Sequence, residues 1–182
     1  FEMAQRLAFG LWDSLPDAEL AKLAAQGRLH TRNEVAQQAN RLLDDPRTRA
    51  KMQAFLQHWL QMDRVEAVAK DEKLFPGFTP EIIADLRTSL NIFLEDTVWN
   101  RPSDQRALLL ADYVFLNNRL ASFYGVATNA TDDFVKVTLD AGQRSGVLTH
   151  PYLLSTFAYQ KQTSPIHRGV FLTRNIVGRS LR

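Results

Sequence analysis

The run Thr163-Ser164-Pro165-Ile166-His167-Arg168-Gly169 places a hydroxyl, an imidazole and a guanidinium close together at what reads as a helix start. Ser164 is a good N-cap, because its hydroxyl can accept from an orphan backbone amide, and Pro165 suits the first helical position. His167 and Arg168 then stand in the first turn. There the helix dipole is positive, and an uncompensated cation costs roughly 0.3–1 kcal/mol. One reading is that an anion sits at the same place, since helix N-termini collect phosphates and carboxylates. The other is an arginine that points into water. His150, just before Pro151, is the second candidate. Its imidazole can reach a site shared with the Ser164 helix start, or it can hydrogen-bond a turn carbonyl.

The remaining chemistry-bearing residues do not converge. The four histidines, His30, His58, His150 and His167, are scattered, and no two share a helical turn. No His-Glu-x-x-His pattern occurs, so the residues point to no metal site. His58 flanks an apolar helix face beside Trp59 and reads as packed or snorkelling. Glu95 and Asp96 are adjacent, so on a helix they diverge by about 100° and make no working pair. There is no Gly-x-Ser-x-Gly, no phosphate loop and no dinucleotide fingerprint. Cysteine is absent, which excludes disulfides, zinc–thiolate sites, iron–sulfur clusters and covalent haem attachment within this chain.

These residues must be positioned by helices. Periodic apolar residues predict helices over 2–12, 17–25, a third capped by Thr31 with Glu34 completing a capping box, and a fourth from Pro46 to Met62. In the fourth, Met52, Phe55, Leu56, Trp59 and Leu60 form the apolar face. Thr79-Pro80-Glu81 starts the longest helix, reaching Trp99, with Ile82, Ile83, Leu86, Leu90, Phe93, Leu94 and Val98 on a broad face. Asn117 caps another helix, ended by Gly125. Over 134–139 the period changes to 2, which predicts a strand paired in a hairpin with Val147-Leu148 across a turn at Asp140-Ala141-Gly142. A short helix follows His150-Pro151. In the last helix Ile166, Gly169, Val170, Thr173, Ile176 and Val177 share the expected buried face. The fold class is mainly α: a helical bundle with a long central helix and one small β-hairpin near the C-terminal third. The expected division is a helical bundle domain over 1–100 and, over 101–182, a helix, a hairpin and closing helices packed on it.

Charge is unevenly spread. Of the 182 residues, 1–130 carry 15 basic and 17 acidic side chains, whereas 131–182 carry 7 basic and 3 acidic. No carboxylate side chain follows Asp140, while Arg144, Lys161, Arg168, Arg174, Arg179 and Arg182 do. Such a block calls for an anionic neighbour: an acidic surface of the same protein, an anionic cofactor, or nucleic acid. Nucleic acid is the weakest of these, because no aromatic platform interleaves the cations. No apolar run approaches the ~20 residues of a membrane span, and no signal peptide is visible. The chain opens inside a helix at Phe1-Glu2-Met3-Ala4 and reads as a piece of a longer protein.

Three stretches carry a family resemblance. They are 1–12 (FEMAQRLAFGLW) with Leu15-Pro16-Asp17-Ala18-Glu19-Leu20; 110–120 (LADYVFLNNRL) with Phe123-Tyr124-Gly125; and Arg144-Ser145-Gly146-Val147-Leu148-Thr149 leading into the Thr163–Gly169 run. In this order they resemble the multidomain cytochrome c-associated proteins of planctomycetes, built from consecutive domains of unknown function. The resemblance implies an exported, periplasmic-type setting and a redox or polymer-degrading context. It also implies a Cys-x-x-Cys-His haem c segment beyond the part seen here. On that reading this chain is a structural and docking module of an electron-transfer protein, without a catalytic centre of its own. His150, Ser164, His167 and Arg168 are the candidate cofactor-binding residues. His150 would be an axial or distal haem-pocket group, and Arg168 a partner for haem propionates. The expected partners are a neighbouring haem or acidic domain of the same protein and a redox partner protein. The alternative is a protein–protein interaction module with no cofactor.

Overall fold

The computed structural model describes residues 1–64, 68–100, 105–127, 129, 131–140, 142 and 144–180. Among these the chain is mainly α, with one two-stranded antiparallel sheet. It divides into two compact units, Phe1–Leu56 and Gln57–Arg182. The division expected at 100/101 falls against residues 101–104, which lie outside the described ones.

In the first unit, α1 (Glu2–Trp12) packs on α2 (Ala18–Ala25) and α3 (Arg32–Leu43). Ala4, Ala8 and Trp12 recur at helical spacing and close over Leu20, Leu23, Leu29 and Leu42. The capping box at Thr31 is the one the sequence predicts, while Asp17, expected as the first residue of its helix, is instead the N-cap. Asp17 accepts from the Leu20 amide, and Thr31 and Glu34 form a reciprocal capping box. A cap of this kind stabilises a helix by about 1 kcal/mol. Asp17 also takes both ends of the Arg41 guanidinium, at 2.8 and 3.1 Å. The Leu42 carbonyl, at the end of α3, accepts from Trp12 Nε1 at 3.0 Å and Thr48 Oγ1 at 2.6 Å. The next helix, α4 (Pro46–Trp59), ends three residues before the expected Met62 and leaves Phe55 exposed rather than on its apolar face.

The second unit is organised by α5 (Pro80–Trp99), capped by Thr79. Leu86, Leu90, Phe93 and Leu94 on α5 are fully buried. Burial of each such side chain contributes roughly 1.5–3 kcal/mol. Against α5 lie β1 (Tyr113–Leu116), α7 (Asn118–Tyr124) and α8 (Pro151–Thr156), while the five-residue α6 (Arg106–Leu110) leads into β1. Asn117 caps α7, and Gly125 ends it at φ 67°.

The strand expected over 134–139 is present as β2 (Val135–Thr138), but its partner differs from the prediction. It pairs antiparallel with β1, Val114 opposite Val137 and Phe115 opposite Lys136. Residues 147–149 instead form a 3-10 turn. Gly146 is the reason. It sits at φ 50°, ψ −152°, and its amide donates to the Ala111 carbonyl at 2.7 Å, which turns the chain before a strand can continue. A Cβ at this position would run into the Leu108 carbonyl oxygen and the Leu109 backbone. Of the expected turn, Ala141 lies outside the described residues.

The last helix, α9 (Pro165–Phe171), continues into a π-helical turn (Leu172–Ile176). Its inward face is also not the one expected. Phe171 is the buried residue, its ring stacked on Phe157 at 4.4 Å, while Ile166 and Val177 are 76% and 61% exposed. One large ring with a stacking partner outweighs a stripe of smaller side chains in choosing the face.

Candidate functional site

Three of the four sequence candidates meet in one turn, where Ser164 is buried, Arg168 half-buried and His167 exposed. Ser164 Oγ caps α9 by accepting the His167 amide at 3.4 Å. Arg168 Nη2 donates to Thr163 Oγ1 at 2.6 Å, so the guanidinium folds back over the turn. The exposed His167 ring leans on Tyr159, with centroids 5.0 Å apart.

His150 lies elsewhere and is completely buried. Its Nδ1 accepts the Tyr152 amide at 3.3 Å, which makes it the N-cap of α8. That bond assigns the ring proton to Nε2, which faces Ser89 Oγ at 3.4 Å. The Ser89 hydroxyl in turn donates to the Phe115 carbonyl. Ser89 and His150 are therefore not a nucleophile and its base, because the serine proton is directed at the backbone. Burial, and then the nearby Arg144, hold the His150 pKa well below its ordinary value, so the ring is neutral at pH 7. Among the described residues no hydrogen bond joins His150 to the Ser164 turn, and no group of His, Asp and Glu is placed to hold a metal ion.

Two further charged groups escape the sequence reading. Asp96 on α5 accepts from Lys136 Nζ at 2.6 Å and from the Tyr113 hydroxyl at 2.9 Å. Lys136 Nζ also lies 4.0 Å from the centre of the Tyr113 ring. Burial pushes the Asp96 pKa up, but the bonds from Lys136 and Tyr113 outweigh it and leave the carboxyl below the ordinary range. Beside this group is a shallow cleft of about 380 Å³, lined by Arg106, Leu110, Asp112, Tyr113, Lys136 and Thr138 among others. The sequence signal was present, since Asp96 stands three residues after Phe93 on the helix face that points inward.

Arg144 is only 3% exposed. Its Nη1 donates to Thr149 Oγ1 at 3.3 Å, while Nε and Nη2 are buried without a partner. The guanidinium carbon is 5.7 Å from the centre of the Phe93 ring. The Tyr124 hydroxyl is likewise buried and unpartnered. Burial lowers the Arg144 pKa and raises that of Tyr124, each partly offset by the other group. Thr149 fixes the loop that carries Arg144: its hydroxyl oxygen accepts the Ser145 amide at 2.9 Å and the hydroxyl donates to the Gly146 carbonyl.

The family model described as PSD4, protein of unknown function (DUF1592), matches residues 1–126. The chain belongs to that family. A second model, PSCyt3, protein of unknown function (DUF1588), matches residues 144–182. The chain thus carries a PSD4 segment followed by a PSCyt3 segment. Asp96 belongs to the PSD4 segment, whereas Arg144, His150, Ser164, His167 and Arg168 fall in the PSCyt3 segment. No curated protein and no solved structure matches the chain.

Proposed function

We propose that this chain is a structural and docking module of an exported multidomain haem c redox protein. In that role it holds a neighbouring haem-bearing or acidic domain against its PSCyt3 segment. The observation that carries the reading is the exposed α9 region within that segment. There His167 and Arg168 stand in the first turn beside the exposed Ile166, in a part of the chain with no carboxylate side chain after Asp140. A cationic rim with an apolar centre suits an acidic protein surface or the propionates of a haem held by the adjoining domain. The consecutive PSD4 and PSCyt3 segments support the multidomain part of this reading. The periplasmic location, the planctomycete-type setting and the haem come from the family resemblance. Among the described residues no helix is long and apolar enough to cross a membrane.

The test is made on the complete parent protein. A Cys-x-x-Cys-His segment beyond residue 182, a Soret band in the purified protein, and a shift of its midpoint potential on Arg168→Ala that Arg179→Ala does not reproduce would support the haem-docking role. A purified full-length protein with no Soret absorption would remove haem. The second reading, an interaction module without cofactor, would then lead, favoured by the exposed Ile166 and Val177.

A further inference from the structure

We propose that Arg144 and Tyr124 form the receiving half of a site for one carboxylate, gripped by the Nε/Nη2 edge of the guanidinium with the phenol as a third donor. The inference is independent of the docking role assigned to α9. It starts from an imbalance. A guanidinium buried to this depth with two of its three nitrogens unbonded is among the most unfavourable arrangements a core can hold. Among the described residues no carboxylate neutralises it. Asp140 is the closest carboxylate in sequence, and it turns its Oδ1 back to the Gly142 amide at 2.9 Å. Asp96 is taken by Lys136 and Tyr113. His150 is neutral, and the Tyr124 phenol keeps its proton. A water molecule would fill hydrogen bonds without cancelling the charge.

The geometry of what is left free selects the guest. Nη1 is tied to Thr149, so the unused side is the Nε/Nη2 fork, whose two parallel N–H groups match the two oxygens of a planar carboxylate. The arginine is also held ready. The Thr149 hydroxyl fixes both its Nη1 and the next backbone amide, and Gly146 packs the loop against Leu108 and Leu109. Such pre-organisation reduces the ordering entropy lost on binding. Both free groups are closed over in this structure, so a guest reaches them only as the cover opens, and binding is slower than diffusion.

The carboxylate has two possible sources: a small acid in solution, or a side chain from a part of the same polypeptide outside this chain. Thermal unfolding separates them. The 182-residue chain is compared in sodium acetate, sodium phosphate and sodium chloride at equal ionic strength and pH 7, alongside Arg144→Met, Arg144→Lys and Tyr124→Phe. A solution source predicts a saturable rise in Tm of about 3–5 °C in acetate. It also predicts a smaller rise for Tyr124→Phe and none for Arg144→Met or Arg144→Lys. A polypeptide source predicts no acetate response in the parent protein. It further predicts a reversal, with Arg144→Met lowering the Tm of the parent while leaving that of the isolated chain equal or higher. The 15Nε resonance of Arg144 gives a readout that needs no variant to fold, since it shifts on acetate addition or already differs between chain and parent. An acetate response shared by wild type and Arg144→Met, a response to phosphate alone, or no response in the chain together with equal effects of Arg144→Met in chain and parent would overturn the proposal.

Discussion

Asp96 and Arg144 are two buried charges of opposite sign whose surroundings meet at Phe93. The Tyr113 ring, whose hydroxyl serves Asp96, is 5.4 Å from Phe93, and the Arg144 guanidinium carbon is 5.7 Å from it. The carboxylate is complete, with a cation, a phenol and Asn100 around it. The guanidinium keeps one bond and leaves its best edge unused. A finished ion pair belongs to the architecture of a fold. An unfinished one, on a loop fixed as firmly as this, marks a place where something else is expected to arrive.

The largest effect should come from the residue that fixes the Arg144 loop. Gly146→Ala places a methyl into the Leu108–Leu109 backbone at a positive φ, and it should lower unfolding stability by more than about 3 kcal/mol in urea titrations. An unchanged midpoint would mean that the loop is not held as described.

The comparison itself is broken or sharpened by neutralising each charge in turn. Asp96→Asn takes the carboxylate from Lys136, whose side chain is 34% exposed, and from the Tyr113 hydroxyl, and should cost about 1–2 kcal/mol. Arg144→Met removes an unpaired charge and should be neutral or stabilising by up to about 2 kcal/mol in the isolated chain. Equal losses for the two would erase the distinction. The wild-type pair also has an acid signature. Because the folded pKa of Asp96 is below the unfolded one, its contribution is fully present above the unfolded carboxylate pKa of about 3.9 and is lost as pH falls through the folded value. Asp96→Asn should flatten that part of the stability curve.

His150 gives an intermediate effect in a different pH window. Its folded pKa is depressed, so the unfolded chain binds the extra proton first. Stability is full above about pH 6.5 and declines as pH falls from there toward the folded pKa. His150→Gln should remove this slope and, through the lost α8 cap and the Ser89 contact, cost about 1–2 kcal/mol at pH 7. A wild-type profile that is flat between pH 6.5 and 5 would contradict the burial of a neutral ring. The smallest effect on the fold belongs to Arg168→Ala and Arg179→Ala, each within about 0.5 kcal/mol. On the proposed docking role, their difference should emerge only in docking or in a redox potential of the complete protein.

What could be foreseen from the residues alone was local. Caps at Thr31, Asn117 and Ser164, and the helix start at Thr79, stand where side-chain oxygens precede apolar periodicity, and each of these helices begins there. The pairing of β1 with β2 was not legible, because α7 separates the two strands and nothing local announces which run is the partner. The inward face of α9 depends on a ring contact with Phe157, which no periodicity records. For the candidate site, the turn at Ser164–Arg168 could be read directly. The roles of Asp96 and Arg144 could not, since Asp96 is defined by Tyr113 and Lys136, 17 and 40 residues away, and Arg144 by two nitrogens left without a partner.

One contact joins distant parts of the second unit. Trp59 Nε1 donates to the Asn175 carbonyl at 2.8 Å, and Asn175 Nδ2 returns a bond to the Trp59 carbonyl at 2.8 Å. This reciprocal clasp ties the end of α4 to the π-helical turn after α9. Release of that turn would leave the indole without its acceptor and change its emission. Trp59 is thus an optical gauge, already installed, of whether the tail of the molecule is latched.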